Sequence, residues 1–255
     1  MFRDVRTKIR IAPHKLGFYP KRRMTRWYEP LAMFRLLLRI WDTRRMADQR
    51  DQKHHQPAML LDYGQAKDDF WFDYVADMGD AFDPTMCVAW HLGRKELNQI
   101  AGDPEAAAER PTLLPRGELL VMGGDQVYPD SSVRRYRDQL LGPFGLAWES
   151  EEAEGLSTPT TQADRAGLLA IPANHDWYGG IGPFIDAFGS GRKIGGWQTA
   201  QRCSWWAARL AHGWWIWGVD TALDGTINPG QFNYFQAVTK LMSCLLYTSP
   251  SPRDS

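Results

Sequence analysis

Cysteine is scarce in this chain, with Cys87, Cys203 and Cys244 the only three in 255 residues. Their contexts form no disulfide framework, so a reducing compartment is expected and Cys87 and Cys203 read as small core residues. Long apolar runs are missing as well. The best of them, residues 31–41, is short and broken by Arg35 and Arg39, which excludes a membrane-spanning helix; the charges throughout Met1-Phe2-Arg3-Asp4-Val5-Arg6 exclude an ordinary secretory signal. The expected location is cytoplasmic, with membrane association open to a longer parent protein. No internal repeat stands out. No Walker spacing follows the glycine-rich residues 189–196, so a nucleotide P-loop is excluded, and Arg192 and Lys193 read as parts of a surface loop.

Net charge is lacking too, with 30 Lys+Arg against 30 Asp+Glu. The balance hides an asymmetry: residues 1–50 hold 14 Lys+Arg against 4 Asp+Glu, and the remainder holds 16 against 26. A basic arm of this kind meets either an anionic surface, such as a membrane, or the acidic body of its own protein. A nucleic-acid partner is not expected, because no aromatic-basic groove pattern accompanies the arm. Residues 29–52 read as one amphipathic helix, in which Leu31, Phe34, Leu38 and Trp41 recur at three- and four-residue steps while Arg35, Arg39, Arg44 and Arg45 take other positions. The expectation is that the apolar stripe docks on the domain; lying on a membrane is the alternative.

What the chain does have is 44% hydrophobic residues, enough for a substantial core. Strand-like runs at 70–76, 118–122, 167–172 and 214–219 alternate with helix-like segments at about 84–99, 131–140, 181–188 and 230–242, which predicts an α/β fold. Residues 101–116 and 149–163 carry no apolar periodicity and read as surface loops. The tryptophans at 197, 205, 206, 214, 215 and 217 read as core and sheet-face filler. The division that follows is a basic arm with its helix at 1–60, a domain at 61–243 and a tail at 244–255.

Three acidic stations stand where strand-like runs end: Asp77-Met78-Gly79-Asp80 after Phe72-Asp73-Tyr74-Val75, Gly123-Gly124-Asp125 after Leu119-Leu120-Val121, and Asn174-His175-Asp176 after Leu168-Leu169-Ala170-Ile171. Each brings hard oxygen donors or an imidazole to a strand end, the place where open α/β sheets build sites. Tyr128, Trp177 and Tyr178 lie beside them, either as walls of a substrate pocket or as packing beneath the loops.

This order resembles the calcineurin-like metallophosphoesterase superfamily, whose pattern runs Asp-x-His, Gly-Asp, Gly-Asn-His-Asp/Glu and then downstream histidines. The wider strings Phe70-Trp71-Phe72-Asp73-Tyr74-Val75-Ala76-Asp77, Leu120-Val121-Met122-Gly123-Gly124-Asp125-Gln126-Val127-Tyr128-Pro129 and Asn174-His175-Asp176-Trp177-Tyr178 look like a bacterial branch of it, and the likeness covers roughly residues 20–243. The resemblance implies a four-layer αββα sandwich, incomplete here, and hydrolysis of a phosphate-ester small molecule at a centre of two divalent metal ions (Mn, Fe, Zn or Mg). It implies Asp77, Asp125 and Asn174 as metal ligands, with Asp125 bridging. It also implies His175 as the group that assists departure of the leaving group or binds the phosphate, oriented by Asp176. Gly79 stands where the family has histidine, so Asp80 is the substitute metal ligand, or else an N-cap like Asp83. Ala173 replaces a glycine and requires negative φ to fit. These two departures sustain an alternative function, a catalytically degenerate phosphoesterase fold that serves as a binding or scaffold module.

Residues 244–254, Cys-Leu-Leu-Tyr-Thr-Ser-Pro-Ser-Pro-Arg-Asp, resemble a translated sequencing adapter. On that reading the natural sequence stops near Ser243 and the family's downstream histidines are missing. Little or no turnover is then expected of residues 1–243 alone.

Overall fold

The computed structural model describes residues 12–47, 61–64, 69–99, 112–153, 166–189, 191–221, 223 and 225–242. In chain order the main elements are α1 (Pro30–Ala47), β1 (Leu61–Asp62), β2 (Phe72–Val75), α2 (Phe82–Gly93), β3 (Glu96–Gln99), β4 (Thr112–Pro115) and β5 (Leu119–Met122). There follow α3, in which Val133–Arg135, a π-helical Tyr136–Leu141 and Gly142–Ala153 run on without a break, then β6 (Ala166–Ala170), α4 (Asn174–Trp177) and α5 (Gly182–Phe188). The last are β7 (Lys193–Ile194), β8 (Trp197–Thr199), β9 (Trp206–Arg209), β10 (Trp215–Gly218) and α6 (Pro229–Met242). The fold is mixed α/β, as the alternation predicts.

A five-stranded sheet has the order β2-β5-β6-β8-β7, parallel except for β7 at its edge. Val75 pairs with Met122, and Met122 with Ala170, so β2, β5 and β6 end level. Level parallel strands deliver their loops to one edge, and these three carry the acidic stations. A second sheet has the order β1-β9-β10, and β3 and β4 form a separate antiparallel pair.

The two-residue period of the strands sorts their side chains into layers. Leu120, Met122, Leu168 and Ala170 face one way, into a cluster with Met86, Trp90, Leu140, Phe144 and Trp148 of α2 and α3. Leu119, Val121 and Leu169 face the other way and meet Leu61, Trp206 and Ala208 of the second sheet. On that sheet's outer side, Trp205 and Ala207 pack against Phe235, Val238 and Met242. Helices, sheet, sheet and helix therefore follow one another across the molecule.

Several expectations need correction. The helix expected over 84–99 ends at Gly93, because Glu96–Gln99 turns back to pair with Thr112–Pro115, inside the stretch read as loop. The helix expected at 131–140 continues to Ala153, so the start of the second expected loop is helical, and residues 154–165 lie outside the described ones. Lys193 and Ile194 pair with Gln198 and Trp197 at the sheet's far edge, which places the Arg192-Lys193 segment in a hairpin. Trp214 is largely exposed rather than core filler. The tail at 244–255 lies outside the described residues, and Cys87 and Cys203 are buried thiols outside any disulfide.

The division at residue 60 does not separate the arm from the domain. Phe18 is fully buried in the main cluster, where its ring fills the space over Gly142. Helix α1 forms over most of the predicted span, but it docks by Leu36 and Thr43 and not by the predicted stripe: Thr43 Oγ1 accepts from Gly179 N at 3.0 Å, and Arg39 pairs with Asp130 at 3.2 Å. Leu31, Phe34, Leu38 and Trp41 remain 44 to 61% exposed. Polar contacts from Arg39 and Thr43 fix the helix with that face inward. No helix among the described residues is long and apolar enough to cross a membrane.

Candidate functional site

Asp77 and Asp125, each just beyond the end of its strand, take the left-handed conformation, with φ of 56° and 53°. That conformation costs an ordinary L-residue about 1 to 2 kcal/mol and is least foreign to Asn and Asp. It persists where the surroundings over-determine it, characteristically at functional sites. Here the surroundings are explicit: Gly123 N donates to Val75 O at 2.8 Å and Asp77 N donates to Gly124 O at 3.0 Å, locking the two loops together.

The carboxylates converge. Tyr128 Oη donates to Asp77 Oδ1 at 2.9 Å and reaches Asp125 Oδ2 at 3.4 Å, so one hydroxyl serves both. Burial, the Asp125 charge and the hydrogen bond to Asp77 all raise the tyrosine pKa, which keeps Tyr128 a proton donor at neutral pH. The third station joins through its backbone, His175 N donating to Asp125 Oδ1 at 3.0 Å. Asn174 donates from Nδ2 to Tyr178 Oη at 2.9 Å, an arrangement in which its carbonyl oxygen is not consumed by that bond.

The His175 ring sits among aromatics, with Tyr128, Tyr178 and Trp27 at centroid distances of 4.6, 5.0 and 5.3 Å. Its Nδ1 lies 2.8 Å from the Pro129 carbonyl, which fixes Nδ1 as the donor and leaves Nε2 as the nitrogen for proton exchange. Orientation of the imidazole therefore comes from Pro129 and not, as the resemblance implies, from Asp176. The Asp176 carboxylate is fully buried on the other side, where it accepts from Tyr136 Oη at 2.5 Å, Ala173 N at 3.0 Å and Gln126 N at 3.1 Å. It ties the second and third loops to α3. Burial outweighs these bonds and pushes its pKa up to about 7.

Asp80 is also engaged elsewhere. Its Oδ1 accepts from Thr25 Oγ1 at 2.5 Å, Thr25 N at 2.8 Å and Lys21 Nζ at 2.9 Å, an anchor for the basic arm rather than a group given to the Asp77–Asp125 pair. Burial acts to raise its pKa, but the bonds from Thr25 and Lys21 outweigh it and the net shift is downward. Asp83, the rival cap, lies in the first turn of α2, whose N-cap residue is Ala81. Gly79 has φ of 74° and a Cβ there would stand 2.1 Å from the Gln126 carbonyl oxygen, so no histidine fits this backbone. Ala173 does fit: its φ is −114°, and its methyl occupies the space that Gly124 leaves open.

Of the predicted walls, Tyr128 and Tyr178 line the site, whereas Trp177 is buried and donates from Nε1 to Asp220 at 3.0 Å. Beside Tyr128 and Pro129 opens a cavity of about 660 Å³, lined among others by Lys21, Thr25, Arg39, Arg134 and Arg135. The sequence pattern misses Trp27, Lys21 and Thr25 as neighbours of the site. Their only signal is the basic, aromatic character of the arm, which does not say what it packs against.

For a cation, the donors that the structure brings together are the Asp77 and Asp125 carboxylates, with Asn174 next to His175 in the adjoining loop. Among the described residues no group of three or more His, Cys, Asp or Glu side chains is arranged to hold an ion. Comparisons with family models, with curated proteins and with solved structures find no match to this chain.

Proposed function

We propose that this chain bears the catalytic edge of a metal-dependent phosphoesterase, and that its four layers are those of a metallophosphoesterase sandwich. One observation carries the reading: three level strand ends bring Asp77, Asp125 and His175 into a single hydrogen-bonded cluster, with both aspartates in a strained conformation. Asp77, Asp125 and the Asn174 carbonyl would hold a divalent cation, with Mn²⁺ or Mg²⁺ suited to all-oxygen donors. A cation there supplies charge stabilisation for a phosphoryl group and acidifies water.

The chain's own residues supply the rest. His175, steered by the Pro129 carbonyl, delivers a proton from Nε2 to the leaving oxygen. Trp27, Tyr128 and Tyr178 wall the imidazole and limit water around it. The adjoining cavity is lined by Lys21, Arg39, Arg134 and Arg135, each ion-paired with an aspartate, and an anionic substrate, a phosphate-ester small molecule, would enter it by competing for those pairs.

The test is hydrolysis of p-nitrophenyl phosphate and its bis ester in Mn²⁺ by the whole chain. The expected result is weak turnover that Asp125→Ala abolishes and His175→Ala lowers by about 10²- to 10⁴-fold. Turnover indifferent to both changes contradicts the reading. A second reading, a binding or scaffold module without catalysis, draws on Gly79, whose backbone refuses the family's histidine. A chain that binds Mn²⁺ but does not turn over either ester supports that reading.

A further inference from the structure

Helix α1 presents its apolar side to solvent. Leu36 and Thr43 are buried against the domain, Arg39 reaches Asp130 on the same face, and Leu31, Met33, Phe34, Leu37, Leu38 and Trp41 project from the opposite side with 38 to 61% of their surface exposed. At the helical period of about 3.6 residues these six form one band. Soluble surfaces seldom show so much contiguous apolar area without a partner. The inward face is held by polar contacts to Asp130 and to the Gly179 amide, so the band cannot be turned inward without breaking them.

We propose that this band is a docking surface for an anionic membrane, on which α1 lies in the interface with its leucines and aromatics among the acyl chains. Charge selects that occupant: beside the band Arg22, Arg23 and Arg35 are exposed, and residues 1–50 carry 14 basic side chains against 4 acidic ones. Anionic headgroups and acyl chains satisfy the arginines and the leucines at once. Met24 and Tyr28, also exposed, extend the surface toward the arm. Trp27 of the same arm packs tilted against the His175 ring, so a docked membrane would lie close to the candidate site.

Co-sedimentation of the full chain with vesicles of phosphatidylcholine alone, and with 30% phosphatidylglycerol added, tests the proposal. The expected result is binding to the anionic vesicles only. It should weaken by about tenfold or more in a Leu31→Ser, Phe34→Ser, Leu38→Ser variant, and also in an Arg22→Gln, Arg23→Gln, Arg35→Gln variant that leaves the apolar band intact. High salt should weaken it as well. Equal binding to both vesicle types, or none to either, overturns the proposal. So does a lipid-free dimer that the serine variant dissociates, since the band is then covered by a second copy.

Discussion

At Gly79 the chain has φ of 74° and its missing Cβ would overlap the Gln126 carbonyl oxygen. Gly79→Ala should therefore cost about 2 kcal/mol or more in urea unfolding, and Gly79→His should gain no affinity for Zn²⁺; a stable histidine variant with tightened Zn²⁺ binding contradicts this account of the loop. The identity of the residue was legible in the sequence, but the reason for it lies in Gln126, distant along the chain. Asp176 makes the same point. The motif gave it a partner in His175, yet its carboxylate closes a buried contact with Tyr136 on a helix that no local pattern connects to it. Its pKa, raised to about 7 by burial, means that the native state holds a proton which the unfolded chain releases near pH 4. Its contribution is fully present below about pH 4 and is lost as pH rises through 7, with a limiting slope of about 1.4 kcal/mol per pH unit for one proton. In EDTA, the wild type should lose stability across that window more steeply than Asp176→Asn; parallel profiles would contradict the shift.

Among the elements, the parallel strands were the most legible, because β5 and β6 are buried on both faces and read as short continuous apolar runs. Helix α1 was legible as a helix and not as a docked surface. Its periodicity identifies an apolar face, but the contacts that orient it are Arg39 to Asp130 and Thr43 to Gly179, polar pairs invisible to an apolar pattern. The segment ahead of it was assigned to a separate arm by composition, although Phe18 is fully buried and Tyr19 N donates to Asp138 at 3.2 Å. Phe18→Ala should accordingly destabilise the whole domain by about 3 to 5 kcal/mol in chemical denaturation, the usual cost of emptying a buried aromatic site. A loss below about 1 kcal/mol would show that the arm is peripheral after all. The β3–β4 pair has no apolar alternation to mark it, because its strands are short and partly exposed.

For the molecule as a whole, the succession of helices, sheet, sheet and helix follows from side chains alternating along β5, β6 and β9, each strand feeding two cores. That arrangement leaves one sheet edge on which the loops after β2, β5 and β6 meet, and the cluster of Asp77, Asp125 and His175 results from it. The grouping was readable from the stations' order along the chain. The roles of Asp80 and Asp176 were not, because both are claimed by partners far away in sequence. The central claim is that this edge is a cation site, and Mn²⁺ titration followed by electron paramagnetic resonance tests it without depending on turnover. The account predicts saturable binding by the wild-type chain that weakens by more than about 100-fold in both Asp77→Asn and Asp125→Asn, beyond what the loss of a merely orienting group causes. Failure of the wild type to bind Mn²⁺, or binding that survives either substitution unweakened, would contradict it.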